Sequence, residues 1–134
     1  MTGQARHAIP TNRLALETTI LTHGVPRANA MSLAGELASI ARENGAIPAL
    51  VGLFRGEPVV GLTDEQLREV LAAPDVAKAN TSNIGVLMHR RQHGSTTVAT
   101  TMELAAGAGV KVFSTGGIGG VHRGYGTHLD ISAD

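Results

Sequence analysis

The sequence predicts an α/β fold, layered as α/β/α around a mixed β-sheet. Short apolar runs alternate with amphipathic segments along the chain, which is typical of strands and helices that build one sheet. The run 47–54, IPALVGLF, is apolar over nearly its whole length, as expected of a strand covered on both faces. A chain of 134 residues has the length of one domain. We divide it into a flexible N-terminal arm, residues 1–12, and an α/β domain, residues 13–134.

The predicted helices and strands follow from the spacing of apolar residues and from residues typical of helix ends and turns. Thr63 and Gln66 form the T-x-x-Q pattern of a capping box, Gly45 is placed to end a helix, and Arg55-Gly56 is placed to turn a strand back on itself. The predicted strands are 14–17, 47–54, 59–60, 76–79 and 110–114, and 18–26 is predicted to be a polar turn. The predicted helices are 29–44, one from Thr63 to Pro74, 84–94, and one from Val98 to Gly107 or Gly109.

Composition excludes several classes of function. The 11 basic and 11 acidic side chains balance, so no broad electrostatic field favours a nucleic acid polymer or an anionic membrane. One tyrosine, two phenylalanines and no tryptophan leave little surface on which bases could stack. The absence of cysteine suits a reducing compartment, and no apolar run approaches membrane-spanning length. We therefore expect a cytoplasmic protein.

A glycine-dense loop, STGGIGG at 114–120, follows the last predicted strand. It lacks the lysine of a P-loop and the third glycine of a dinucleotide fingerprint. A tight structural turn and an anion-binding loop remain as alternatives. The position of the loop directly after a strand favours the anion-binding alternative, because ligands of α/β sheets bind at the carboxyl ends of strands.

Glu17 and Lys78 each stand at the end of a predicted strand. Partial burial of Glu17 would favour its protonated form and suit it to general-acid work, whereas a glutamate that accepts backbone hydrogen bonds is the structural alternative. Lys78, one of only two lysines, is either a surface residue or a side chain that reaches a phosphate or carbonyl group.

The last residues of the sequence combine carboxylates with imidazoles. Asp130 and Asp134 share a face in either a helical or an extended segment, and with nearby histidines they could hold Mn²⁺ or Mg²⁺. Solvated surface aspartates are the alternative. Among the histidines elsewhere in the sequence, His23, His89 and His93 are weaker candidates.

Six ordered motifs make the chain resemble the pseudouridine-5'-phosphate glycosidases, also called the indigoidine synthase A-like family. The motifs are ALETTILTHGVP (15–26), ENGAIPA (43–49), VGL (60–62), GSTTVATTM (94–102), VKVFSTGGIGGVHRG (110–124) and DISAD (130–134). The resemblance implies reversible cleavage of the C–C glycosidic bond of pseudouridine 5'-phosphate into uracil and ribose 5-phosphate. It also implies Mn²⁺ as the metal and a homo-oligomer, a trimer in the family.

The resemblance also implies roles for individual residues. Glu17 matches the proton donor that helps open the ribose ring, and Asp130 matches the metal ligand. Thr115 and the amides of the glycine loop are expected to face the phosphate. The full set of implied substrate contacts is Lys78, Val98, Thr115, His122, Ser132, Ala133 and Asp134.

Two departures from the family pattern bear on activity. The family's Schiff-base lysine belongs to a segment that follows DISAD, and neither Lys78 nor Lys111 occupies its motif, so we expect a sheet that is incomplete at the C-terminus and no turnover by this chain alone. The family often has a basic KVSRRD-type segment where this chain reads KANTSNIG, so its phosphate contacts are either replaced or lost. Two alternatives to the glycosidase remain open: a non-catalytic phosphosugar-binding protein or partner subunit, and a metal-dependent hydrolase that uses Asp130 and Asp134.

Overall fold

The fold is described from a computed structural model, which defines residues 11–121 and 123–128, without the side chains of Tyr125 and His128. Most of the predicted arm and the C-terminal residues 129–134 therefore lie outside the described part. The strands are β1 (Arg13–Glu17), β2 (Ile47–Phe54), β3 (Glu57–Val60), β4 (Ala77–Ala79), β5 (Gly94–Thr96) and β6 (Val112–Ser114). The helices are α1 (Arg27–Glu43), α2 (Asp64–Ala72), α3 (Ile84–His89), α4 (Val98–Gly107) and α5 (Tyr125–His128), with a π-helical turn at Ile20–Gly24.

The strands form one mixed sheet, as the sequence predicts. Its order is β4-β5-β2-β1-β6, and β3 pairs with β2 outside this path. β1 is parallel to both β2 and β6, and β4 is parallel to β5, whereas β2 is antiparallel to β3 and β5. Because β1 and β6 are parallel neighbours, their carboxyl ends lie at the same edge of the sheet.

Helices cover both faces of the sheet, which agrees with the layered arrangement. Leu50 packs against the apolar cluster that joins α1 and α2, while its neighbour Val51 belongs to the cluster that contains Ala105 of α4. Successive side chains of a strand point to opposite faces, so α1 and α2 lie on one face and α4 on the other. This double cover explains why β2 is apolar over nearly its whole length.

The local signals in the sequence mark real boundaries. The Thr63 hydroxyl accepts a hydrogen bond from the Gln66 amide, and the Gln66 side chain accepts one from the Thr63 amide, which confirms the capping box. Gly45 follows α1 with φ +76°. Arg55 and Gly56 have φ 50° and 82° at the tip of a two-residue hairpin, where a side chain on Gly56 would meet the Arg91 Cα at 2.7 Å.

Three predictions need correction. The helix predicted over 84–94 ends at His89, because Arg91 adopts a left-handed conformation, φ 52°, and its amide bonds back to the Met88 carbonyl. The residues from Gly94 form strand β5 instead. The predicted polar turn 18–26 contains the π-helical turn, in which Leu21 is fully buried. The last strand is shorter than 110–114 because the Val110 amide bonds to Ala105 and closes the end of α4.

No helix in the described part of the chain is long and apolar enough to cross a membrane.

Candidate active site

A carboxylate and a hydroxyl meet where β1 and β6 end. Glu17 is the last residue of β1, and Thr115 directly follows β6. The Thr115 hydroxyl lies 2.8 Å from Glu17 Oε1 and 3.0 Å from the Gly117 carbonyl oxygen. A hydroxyl donates only one proton, and the Glu17 oxygen is the nearer of the two acceptors. We therefore assign the Thr115 proton to the carboxylate, which fixes the orientation of Glu17.

Glu17 and Lys78 line one cleft together with the start of the glycine loop. The cleft has a volume of about 360 Å³, and Gly116, Gly117 and His23 also form its wall. Glu17 and Lys78 are both half-buried. The structure thus brings together two of the residues singled out in the sequence, one from β1 and one from β4, beside the glycine-dense loop.

The first glycines of the glycine loop do not adopt the left-handed backbone conformation that favours glycine. Gly116, Gly117 and Gly119 adopt conformations open to other residues, and a Cβ at any of them would meet nothing within 4 Å. The Gly117 amide donates a 3.3 Å hydrogen bond to the Thr115 hydroxyl. The absence of side chains therefore leaves room beside Glu17, and the turn itself does not require glycine.

A network of buried threonines supports the cleft, and the sequence did not reveal it. Thr18 is 1% exposed; its hydroxyl donates to the Val51 carbonyl at 2.8 Å and accepts from the Thr96 amide at 3.0 Å. The Thr96 hydroxyl donates to the same carbonyl at 2.8 Å and accepts from Thr101. The Thr19 hydroxyl bonds to the Thr96 carbonyl at 2.7 Å. The only signal for these bonds was the repetition of Thr-Thr pairs at 18–19, 96–97 and 100–101.

Val98, an implied substrate contact, occupies a different environment from Glu17 and Lys78. It is the first residue of α4, its side chain is 4% exposed, and it does not line the cleft. Beside it, Thr97 precedes the helix without a side-chain capping bond. The hydroxyls of Thr97 and Thr100 are buried and have no hydrogen-bond partner within the described part of the chain.

The histidines occupy different environments. His23 lines the cleft, with Nδ1 2.7 Å from the Thr22 hydroxyl and 3.4 Å from the Ser95 hydroxyl. His93 lies instead against the β2–β3 hairpin, where its ring centroid is 5.2 Å from that of Phe54. His89 is the last residue of α3 and is exposed.

An ion pair between the hairpin and α2 lies apart from the cleft. Arg55 Nε is 2.7 Å from Glu69 Oε1, and His93 Nε2 is 3.5 Å from the same oxygen. The hydrogen bond from Arg55 holds the pKa of Glu69 below its ordinary value, and the same bond raises the pKa of Arg55.

His122, Asp130, Ser132, Ala133 and Asp134 lie outside the described residues. Within residues 11–121 and 123–128, no three histidine, aspartate or glutamate side chains gather in a way that could hold a metal ion. The expected role of Asp130 as a metal ligand remains a prediction.

Comparison with known proteins shows which family the chain resembles. The profile of the family described as indigoidine synthase A like protein matches residues 5–134. A pseudouridine-5'-phosphate glycosidase of Nocardioides sp. is 46% identical over 121 residues, which are 90% of this chain and 39% of the relative. The chain thus spans about two fifths of the length of such relatives.

Two solved structures share the fold. An indigoidine synthase A-like protein from Thermotoga maritima superposes with a TM-score of 0.78 and 33% identity, covering 90% of this chain and 40% of the other. The prealnumycin C-glycosynthase AlnA, solved in complex with ribulose 5-phosphate, superposes with a TM-score of 0.71 and 37% identity, covering 92% and 39%. From the profile match and these likenesses together, we conclude that the chain belongs to the indigoidine synthase A-like family.

Proposed function

We propose that this chain forms the part of a pseudouridine-5'-phosphate glycosidase that binds and protonates the ribose 5-phosphate moiety. The observation that carries the proposal is the cleft shared by Glu17, Lys78 and the glycine loop. Its Glu17 side lies at the carboxyl ends of the parallel strands β1 and β6, where α/β sheets bind ligands, and Lys78 comes from β4, which runs antiparallel to β1. The relatives named as glycosidases and the AlnA complex with a pentose phosphate support the same class of ligand.

Glu17 is the proposed proton donor. Its carboxyl group, held by the Thr115 hydrogen bond at Oε1, would carry the transferable proton. Transfer of that proton to the ring oxygen of ribose 5-phosphate would break the bond between this oxygen and the anomeric carbon, while the anomeric hydroxyl becomes the aldehyde carbonyl and releases its own proton to water. Thr115 thereby acts as a positioning residue, because its hydroxyl holds the carboxyl group in one orientation.

Lys78 is the proposed cationic contact for the sugar phosphate. An ammonium group attracts phosphate as a compact point charge, and the open space beside Gly116 and Gly117 admits the ligand. Further substrate contacts from Val98, His122, Ser132, Ala133 and Asp134 remain proposals that rest on the family resemblance. So does Mn²⁺ held by Asp130, whose carboxylate is a hard oxygen ligand suited to that ion.

Cleavage of the carbon bond requires a further group. In the family a lysine amine forms a Schiff base with the opened sugar, and the sequence contains only Lys78 and Lys111, neither in the matching motif. We therefore expect binding without turnover from these 134 residues. A cytoplasmic location and a homotrimer also remain predictions.

The two lysines provide a matched test of the binding site. Lys78 lines the cleft, whereas Lys111 lines a separate cavity beside α4. We expect ribose 5-phosphate to bind in calorimetric titrations, Lys78→Met to weaken binding at least tenfold, and Lys111→Met to leave it unchanged. Equal affinities of the two variants would contradict the proposed site.

Borohydride trapping tests the predicted lack of a nucleophile. Incubation with ribose 5-phosphate and borohydride should leave the mass of the chain unchanged, because no lysine occupies the Schiff-base motif. A covalent sugar adduct would show that Lys78 or Lys111 performs this role after all. A second outcome concerns turnover. If the chain binds the sugar phosphate but shows no glycosidase activity when the rest of a relative's sequence is supplied as a second polypeptide, the result would favour the non-catalytic binding protein.

A further inference from the structure

The turn that follows β4 is closed by its own side chains. It consists of Asn80, Thr81, Ser82 and Asn83 and leads directly into α3. Asn80 Oδ1 accepts hydrogen bonds from the Ser82 amide at 3.0 Å, the Ser82 hydroxyl at 2.6 Å and the Asn83 amide at 3.1 Å. This turn stands where the family often has a basic segment, and its Ser82 hydroxyl has no proton left to donate to a phosphate.

The Asn83 side chain also reaches back to Lys78, which lies five positions earlier. Its Nδ2 donates to the Lys78 carbonyl oxygen at 2.9 Å, while its Oδ1 accepts from the Asn80 amide at 2.8 Å. These two partners fix the orientation of the carboxamide, because a flipped group would place its oxygen against a carbonyl oxygen and its amine against an amide donor. Asn83 is half-buried, which limits competition from water for both bonds.

The bond from the turn holds a strand that the sheet holds from one side only. β4 is three residues long and stands at the end of the sheet, where β5 is its only partner among the described strands. The Ala77 carbonyl accepts from the Ser95 hydroxyl at 3.5 Å, and the Ala79 carbonyl accepts at 3.5 Å from the amide that follows β5. Successive carbonyls of a strand point to opposite sides, so the Lys78 carbonyl faces the open edge. The carboxamide supplies the hydrogen bond that this edge carbonyl requires.

We infer that Asn83 is the positioning residue of Lys78. The Lys78 ammonium group stands on a long, flexible side chain, so its distance from a bound phosphate depends on where the backbone holds the base of that chain. The bond from Asn83 resists separation of β4 from the sheet, which would carry Lys78 away from the cleft that it shares with Glu17. Asn83 itself does not line that cleft. The inference rests on the proposed function, in which Lys78 contacts the sugar phosphate.

Two aspartate substitutions in the same turn test this role. Asn83→Asp keeps the acceptor for the Asn80 amide and loses the donor to Lys78, whereas Thr81→Asp adds the same charge at an exposed position. In calorimetric titrations with ribose 5-phosphate, we expect Asn83→Asp to bind about fivefold more weakly than Thr81→Asp, a coupling typical of residues in contact. This difference should vanish when both substitutions are combined with Lys78→Met. Circular dichroism verifies that every variant keeps the fold.

The two lysines also allow a measurement without ligand. Reductive ¹³C-methylation keeps the charge of each amine and gives Lys78 and Lys111 separate NMR signals. We expect Asn83→Asp to shift and narrow the Lys78 signal, Thr81→Asp to leave it in place, and neither variant to affect Lys111.

An unchanged Lys78 signal in Asn83→Asp, or equal ribose 5-phosphate affinities of the two aspartate variants, would overturn the inference. A difference that persists with Lys78→Met would overturn it as well, because Asn83 would then act on the ligand by another route. Absence of binding by the unsubstituted chain would instead contradict the proposed function, and the Lys78 signal alone would then decide the positioning role.

Discussion

Replacement of Thr18 by valine should destabilise the whole sheet and the cleft with it. Thr18 follows Glu17 directly, and its buried hydroxyl bonds to the Val51 carbonyl and the Thr96 amide. These two bonds connect the end of β1 to both β2 and β5. Valine has nearly the same volume as threonine, so the substitution removes the hydrogen bonds without leaving a cavity.

The expected loss of stability follows from the groups left behind. The Val51 carbonyl keeps its hydrogen bond from the Thr96 hydroxyl, whereas the Thr96 amide loses the Thr18 oxygen. A lost hydrogen bond costs about 1 kcal/mol net, and a buried donor without a partner costs roughly 1–3 kcal/mol. We therefore expect a loss of about 3 kcal/mol. With an unfolding entropy of about 0.3 kcal/mol/K for a chain of this length, Tm should fall by about 10 °C.

Thr18→Ser is the matched control. Serine keeps the hydroxyl and loses one methyl group, which costs about 0.8 kcal/mol and about 3 °C. Thermal unfolding followed by circular dichroism, together with urea titration, measures both variants. If Thr18→Val proves as stable as Thr18→Ser, the hydroxyl contributes nothing to the folded state and the reasoning is refuted.

Three further predictions follow from the described contacts. Gly117→Ala should keep the stability of the chain but weaken ribose 5-phosphate binding in calorimetry, because the added methyl group would occupy space in the cleft. Gly85→Ala is the control: a Cβ at Gly85 also meets nothing within 4 Å, and this variant should leave binding unchanged. Thr63→Ala should lower the unfolding free energy by about 1 kcal/mol in urea titrations, since it removes half of the capping box. Because Arg55 lowers the pKa of Glu69 from its ordinary value of 4.5, their pairing should stabilise the fold above pH 4.5, and this stabilisation should be lost as the pH falls below it. Arg55→Gln should flatten this part of the plot of unfolding free energy against pH. An unchanged plot would contradict the pairing.

The elements predicted correctly are those whose signals lie within a few residues of one another. The capping box at Thr63, the glycine after α1 and the hairpin at Arg55-Gly56 depend on local backbone conformation, which sequence spacing shows directly. Strand β5 depends instead on packing at long range. A Cβ on Gly94 would stand 3.2 Å from the Ala79 Cβ and 3.4 Å from the Leu53 Cβ, and these neighbours are distant in the sequence.

The same distinction applies to the cleft. The sequence singled out Glu17 and Lys78 by their positions at strand ends and by family motifs, and the structure places both beside the glycine loop. The supporting bonds were not visible, because Thr18 and Thr96 are 78 positions apart and their pairing requires the folded sheet. Hydroxyl groups in a polar run give no periodic pattern that would distinguish a buried network from a solvated surface.

The bond between Glu17 and Thr115 joins residues that are 98 positions apart in the chain. During synthesis on the ribosome, the first strand emerges long before the residues that orient its terminal carboxyl group. Glu17 therefore acquires this orientation only when β6 has been added beside β1. Nascent chains that stop earlier would contain Glu17 but not the hydroxyl that orients it, so the proposed ligand binding would require completed folding.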